Sequence, residues 1–143
     1  MRAPSDRAQL VSLLKLAYSG EKAAALAYRG HWKSVRDPEE RETIFRIEWE
    51  EWAHREEVGL MLAGLGERPS ALRELVLGLV GGALGPLCHV SGRFLPMYFA
   101  WRLEVRNVWE YETAAGHASR CGQDALVPCL LKMAEVEKAH EAF

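Results

Sequence analysis

A chain of 143 residues with 49% apolar and 27% charged side chains has the size and balance of a single domain, 1–143, able to bury its own core without disulfides or a structural metal. Its net charge of -2 gives no electrostatic footprint for a polyanion, so no nucleic acid is expected among its partners. Cys88, Cys121 and Cys129 are odd in number and lack C-x-x-C spacing, and the charged first thirty residues do not read as an export signal; reduced thiols in a cytoplasmic protein are the expectation.

Sustained period-2 alternation is missing, whereas apolar residues recur at spacings of three and four, so the expected fold is all-α. A first helix starts at Ser5 or Asp6, both good N-caps, with the inward stripe Leu10, Leu13, Leu14, Ala17, Glu21, Ala24, Ala25, Tyr28. Glu21 interrupts an otherwise apolar face. The chain turns at Asp37-Pro38-Glu39-Glu40, where Asp37 caps a second helix, Pro38 suits its first position and the acids favour the positive end of the dipole. The stripe of this helix is Ile44, Ile47, Glu51, His54, Val58, Met61, Leu62, Leu65, and it stops at Gly64 or Gly66 before Pro69.

Ser70 caps a short apolar segment, roughly Ala71 to Leu84, that connects to the third long helix. It belongs to a charge-free stretch from Leu75 to Gly92 whose glycines and Pro86 argue for a buried or interfacial segment over a membrane span. The third long helix covers about Ser91 to Cys121, tolerates Pro96 near its start, and turns Met97, Ala100, Trp101, Glu104, Val108, Tyr111, Glu112 and Ala115 inward. After Gly122-Gln123, Asp124 caps the last helix, with stripe Leu126, Leu130, Met133, Ala134, Glu137, His140. Two antiparallel pairs joined by one longer connection, between helices 2 and 3, describe a ferritin-like four-helix bundle with a crossover.

Every long helix thus carries a carboxylate within an apolar stripe, and two add a histidine one turn later. Burying unpaired carboxylates costs several kcal/mol each, so they must be protonated, paired or metal-bound. Lys and Arg are missing from the four stripes, which leaves a metal as the counter-charge. Glu51-Trp52-Ala53-His54 and Glu137-Lys138-Ala139-His140 are Glu-x-x-His motifs, whose two side chains share a helix face. With seventeen Glu and five His, roughly one such motif arises by accident. The stronger signal is the register: Glu21 precedes Glu51 by thirty residues and Glu104 precedes Glu137 by thirty-three, each interval carrying the chain up one helix and down its neighbour. Glu21, Glu51, His54, Glu137, His140 and either Glu104 or Glu112 are therefore the expected metal ligands. Mixed carboxylate and imidazole ligation suits iron or manganese.

At these residues the sequence resembles the demethoxyubiquinone hydroxylases of ubiquinone biosynthesis, within the ferritin-like di-iron carboxylate proteins. The resemblance runs through Gly20-Glu21-Lys22-Ala23-Ala24 with Tyr28, Glu51 and His54 thirty residues later, Ala83-Leu84-Gly85 and Gly92, and Glu104. That spacing selects Glu104 over Glu112 as ligand. Two departures stand out: Glu110-Tyr111 occupies the place of the family's His-Tyr, and the chain ends three residues beyond His140, where the family continues. The resemblance implies two iron ions as cofactor, no catalytic residue beyond their ligands, and O2-dependent hydroxylation of a quinone-type ring carrying a long isoprenoid tail. The apolar connection 72–95 would then touch the membrane surface and admit the substrate, making the protein peripheral on the inner face of the membrane; the competing reading makes it a buried crossover or a homo-oligomer interface. A soluble rubrerythrin-type oxidase or peroxidase and a ferroxidase are the alternative functions for the same ligands.

The remaining candidates have plainer expectations. His31, His89 and His117 read as surface or capping residues, Trp49, Trp52, Trp101 and Trp109 as core or helix-interface residues, Tyr111 as packing within reach of a ligand carboxylate, and Glu112 as a reserve acid.

Overall fold

The computed structural model describes residues 4–92 and 94–142; the side chains of 94, 96, 97 and 100 fall outside the described set, and with them the expectations placed on Pro96, Met97 and Ala100. Five helices follow in order: α1 Asp6–Ser34, α2 Pro38–Gly64, α3 Ala71–Val90, α4 Phe94–Arg120 and, after a 3-10 turn at Asp124–Leu126, α5 Val127–Glu141. No strand occurs among the described residues.

Local chemistry sets the boundaries. Ser5, Asp37 and Ser70 each accept a backbone N–H at the start of α1, α2 and α3. At the end of α2, Gly66 takes φ 73°, and the amides of Gly66 and Glu67 return to the carbonyls of Ala63 and Leu62. Gly122, at φ 77°, closes α4 in the same way, with Gly122 and Gln123 bonding to Ser119 and Ala118. Asp124 does not cap α5 as expected; it opens the 3-10 turn, and α5 starts at Val127 with no side-chain cap.

The α3 segment differs most from expectation, running to Val90 rather than Leu84. Its glycines act as a contact surface instead of as breakers. A Cβ on Gly81 would lie 2.5 Å from the Ala23 carbonyl oxygen, and one on Gly30 of α1 would lie 2.1 Å from the Gly85 Cα, so only glycine lets the two backbones come this close. Contacts from Arg73 with Ser12, through Gly81 with Ala23, to Gly85 with Gly30 show α3 lying parallel to α1 along the outside of the bundle. Its start is pinned by Arg55 of α2, which grips both oxygens of Glu74 at 3.0 and 2.6 Å and also donates to the Tyr18 carbonyl. Because only one side of α3 meets α1, its other side is exposed and apolar: Leu72 at 71%, Leu79 at 67%, together with Leu75, Val76 and Val80. That exposure contradicts the buried-crossover reading of this segment. By length and composition α3 could also cross a membrane, yet it lies flat on its neighbour.

Two apolar clusters fill the bundle. One joins Leu10 and Leu14 to Val58, Leu62, Tyr111, Ala118, Leu130 and Met133; the other joins Ala24 and Tyr28 to Ile44 and Ile47. Each fully buried leucine contributes about 1.5–3 kcal/mol. Along α1 and α2, the two clusters lie on either side of Glu21 and Glu51, so the polar layer is held in an otherwise dry interior.

Candidate metal centre

α1 and α4 run antiparallel and each offers one glutamate from its buried face, Glu21 and Glu104; α2 and α5 each offer a Glu-x-x-His turn. All six are at most 7% exposed. They form two overlapping groups, Glu21–Glu51–His54–Glu137 and Glu51–Glu104–Glu137–His140, whose nearest donor atoms all lie within 4.8 Å of one another. Glu51 and Glu137 belong to both. His54 Nδ1 is 2.8 Å from Glu137 and 3.9 Å from Glu21, while His140 Nδ1 is 3.2, 3.6 and 3.8 Å from Glu51, Glu104 and Glu137.

The surroundings orient these groups. Tyr28, seven residues after Glu21, donates its hydroxyl to Glu104; Tyr111, seven residues after Glu104, donates to Glu21. Seven residues are two helical turns, so on antiparallel helices each tyrosine reaches the glutamate of the other. Burial, followed by those same carboxylates, raises both phenols well above their usual range, which keeps them protonated as donors. Glu50 accepts or shares a proton with His140 Nε2 at 2.6 Å, turning Nδ1 inward, and Asn107 donates to Glu137. One turn before Glu51, the Glu48 carboxylate is held by Arg29 and by the indoles of Trp32 and Trp52, locking α1 against α2.

Charge is badly balanced in this layer without a cation. Burial, reinforced by neighbouring carboxylates, pushes Glu21 and Glu51 well above the usual range; Glu104 rises to about 8, with burial the chief cause. Burial also works to raise Glu137, but its contacts with Glu104, His140 and His54 outweigh this and hold it low. For the imidazoles burial works downward, yet the carboxylates lift His54 and bring His140 to about 11. Five buried atoms, Glu21 Oε2, both Glu51 oxygens, Glu104 Oε2 and His140 Nδ1, lack a partner with hydrogen-bond geometry. Orphaned oxygen and imidazole donors facing one another in a dry layer fit a hard or borderline multivalent cation, and no thiolate is among them.

Several expectations are corrected around this centre. His31 is 3% exposed and lines a cavity, and His117 is buried against Asp6 at 2.7 Å; only His89 is exposed. Trp49, Trp101 and Trp109 are 67%, 47% and 61% exposed rather than core, because their positions on α2 and α4 turn away from the neighbouring helices. Glu112 sits on the surface, bonded to Lys138 at 2.6 Å, and is no reserve ligand. Tyr111 combines packing with the bond to Glu21. Glu110 is buried against Arg106 at 2.6 Å, outside both groups. Tyr28 and Glu50 were missed as partners of the site; the repeated Glu-x6-Tyr spacing carried the signal for the tyrosines, while nothing in the helical pattern marks Glu50.

Beside the centre, a small apolar cavity of about 30 Å³ opens between α1, α3 and α4, with Tyr28 in its wall. A helical bundle with a central layer of glutamates and Glu-x-x-His turns defines the class of ferritin-like carboxylate proteins. The chain matches the family model of ubiquinone biosynthesis protein COQ7 over residues 8–106, more than half its length, and it belongs to that family. Residues 8–106 include Glu21, Glu51, His54 and Glu104 and stop before Glu137 and His140. Over 86 residues, 56% of this chain, it is 30% identical to the 3-demethoxyubiquinol 3-hydroxylase of Laribacter hongkongensis (strain HLHK9). The match covers 42% of that protein, so the chain spans less than half the length of the relative. No solved structure matches it.

Proposed function

We propose that this chain is a di-iron monooxygenase that hydroxylates a quinone-type, demethoxyubiquinol-like ring with O2. The observation that carries the reading is the adjacency of two features: the six-residue centre with its orphaned donor atoms, and an apolar cavity whose wall includes Tyr28, the residue bonded to Glu104. Glu21, Glu51 and His54 would hold one iron ion and Glu104, Glu137 and His140 the other, with Glu51 and Glu137 shared. Iron bound there supplies the electrons and Lewis acidity for activating O2, one atom of which enters the ring while the other leaves as water, an external reductant furnishing two electrons.

The chain's own side chains do the rest. Tyr28 and Tyr111 hold Glu104 and Glu21 in fixed rotamers, so the donor set is formed before any cation arrives. The leucines and alanines of the cavity present an apolar wall beside the centre. Leu87 and Phe99, its most exposed lining residues, continue into the apolar surface of α3 and α4. A polyprenyl tail lying across that surface would bring its ring toward the wall that contains Tyr28, an apolar approach for which a storage-type ferroxidase would have no use.

The outward leucines and valines of α3 support contact with a lipid surface. Wild-type protein should float with liposomes, and Leu72→Lys with Leu79→Lys should return it to the soluble fraction; a wild type that stays soluble at low salt removes the membrane contact. The function itself is tested by expressing the chain in a strain without its demethoxyubiquinol hydroxylase and analysing the extracted quinones. Restored product is expected. Accumulated precursor despite soluble, iron-loaded protein would refute this activity.

A further inference from the structure

The exposed apolar side of α3 does not end at α3. Leu87 of α3 and Phe99 of α4 line one cavity, so the outer faces of the two helices meet there. On α4, Phe99, Arg102, Arg106 and Trp109 follow at spacings of three, four and three and share one face. That face is turned away from Glu104 and Tyr111, which are buried in the bundle. Phe99, Arg102 and Trp109 are exposed, and Arg102 makes no ion pair among the described residues. Arg106 keeps most of its side chain in solvent while its Nε donates to Glu110.

Charge sets this surface apart from the rest of the chain. The protein carries a net charge of -2, yet between Ala71 and Trp109 the acids are Glu74 and Glu104 alone. Glu74 is held by Arg55 and Lys22, and Glu104 is buried in the centre. The face of α3 and α4 therefore presents aliphatic side chains, a tryptophan and guanidinium groups, without an opposing acid from either helix among the described residues.

We infer that α4 completes the lipid-contact surface begun by α3, and that Arg102, with Arg106 beside it, binds the phosphates of anionic phospholipids, so that the chain prefers an anionic bilayer to a neutral one. This rests on the lipid contact proposed above for α3. Three kinds of side chain suit three depths of a bilayer surface: aliphatic groups enter the acyl boundary, an indole sits at headgroup level, and a guanidinium meets phosphate through paired N–H groups. α3 supplies the first kind, and α4 adds the other two on an adjoining face. Contact through both helices turns Leu87 and Phe99 toward the bilayer, with Tyr28 in the wall behind them.

The test is flotation of the full chain at low salt with two kinds of vesicle, phosphatidylcholine alone and phosphatidylcholine with about 30% phosphatidylglycerol. A protein of net charge -2 with its charges evenly spread would bind the anionic vesicles less well. Wild type should instead bind them at least roughly fivefold more tightly, the effect of one guanidinium at an anionic surface. Salt at about 0.5 M should remove the preference and leave the binding to neutral vesicles. Arg102→Gln should bring the two affinities within about twofold, and Arg102→Glu should reverse their order; both leave the pair of Arg106 and Glu110 in place. Lys132→Glu makes the same charge change on α5, on the face it shares with Cys129, which meets Glu57 of α2, and should keep the preference. Wild type that binds both vesicles equally, or a Lys132→Glu protein that loses as much as Arg102→Glu, overturns the anionic-lipid role and leaves the α3 contact standing. Wild type that floats with neither overturns both, and its sedimentation as a dimer would then assign the face to a second copy of the chain.

Discussion

Replacing Glu51 or Glu137 with glutamine is expected to abolish hydroxylation, by on the order of 100-fold or more, and to remove the pair of bound ions. Each of these glutamates belongs to both donor groups, so neither ion can keep its full set when one is changed, whereas Glu21 or Glu104 serves only one group. The stability of the metal-free protein separates a ligand from a structural acid. Burial and the neighbouring Glu137 already raise Glu51 well above the usual carboxylate range, which makes its charge a burden on the empty fold. Glu51→Gln should therefore melt no lower than wild type without metal, and lower than wild type with it. Glu112→Ala serves as the control, because that acid only meets Lys138 at the surface. A Glu51→Gln protein that retains two ions, or that is destabilised equally with and without metal, would exclude the shared-ligand role.

Gly30→Ala is expected to have an effect out of proportion to one methyl group. Its Cβ would stand 2.1 Å from the Gly85 Cα and 2.5 Å from the Gly85 oxygen, both backbone atoms that no rotamer change can move. Overpacking a core costs about 1–3 kcal/mol, occasionally more, and a clash between two helix backbones belongs at the upper end of that range. The cheapest escape is separation of α3 from α1, which would open the cavity shared by Ala27, Leu84 and Cys88. Melting temperature should fall by several degrees, and quinone hydroxylation should fall with it. Gly64→Ala, where no atom lies within 4 Å of the added carbon, should leave both unchanged. A Gly30→Ala protein that melts with wild type would refute the close contact of α1 and α3.

Much of this architecture was legible because helical periodicity and metal ligation obey the same geometry. An acid in an apolar stripe is conspicuous, and similar intervals on two helix pairs imply similar height, so Glu21, Glu51, His54, Glu137 and His140 could be named from spacing, the family resemblance chose Glu104 over Glu112, and all six are found together. The caps Ser5, Asp37 and Ser70 were equally readable, since their side chains act on amides two or three residues away. What escaped depends on partners distant in sequence. The glycines of α3 look like helix breakers until α1 lies against them. Trp49, Trp101 and Trp109 look like core residues until their neighbours turn out to be on the other side. His31 looks like an ordinary helix-end histidine until α3 and α4 close a cavity over it. Glu50 faces away from its own stripe and acquires a role only when His140 arrives from ninety residues downstream.

Iron stoichiometry tests the central claim most directly. Protein reconstituted anaerobically with ferrous iron and freed of loosely bound metal should carry two ions per chain. His54→Ala and His140→Ala should each lower that number, while His31→Gln should not. A folded wild-type protein that holds no iron with all six residues intact would contradict the account.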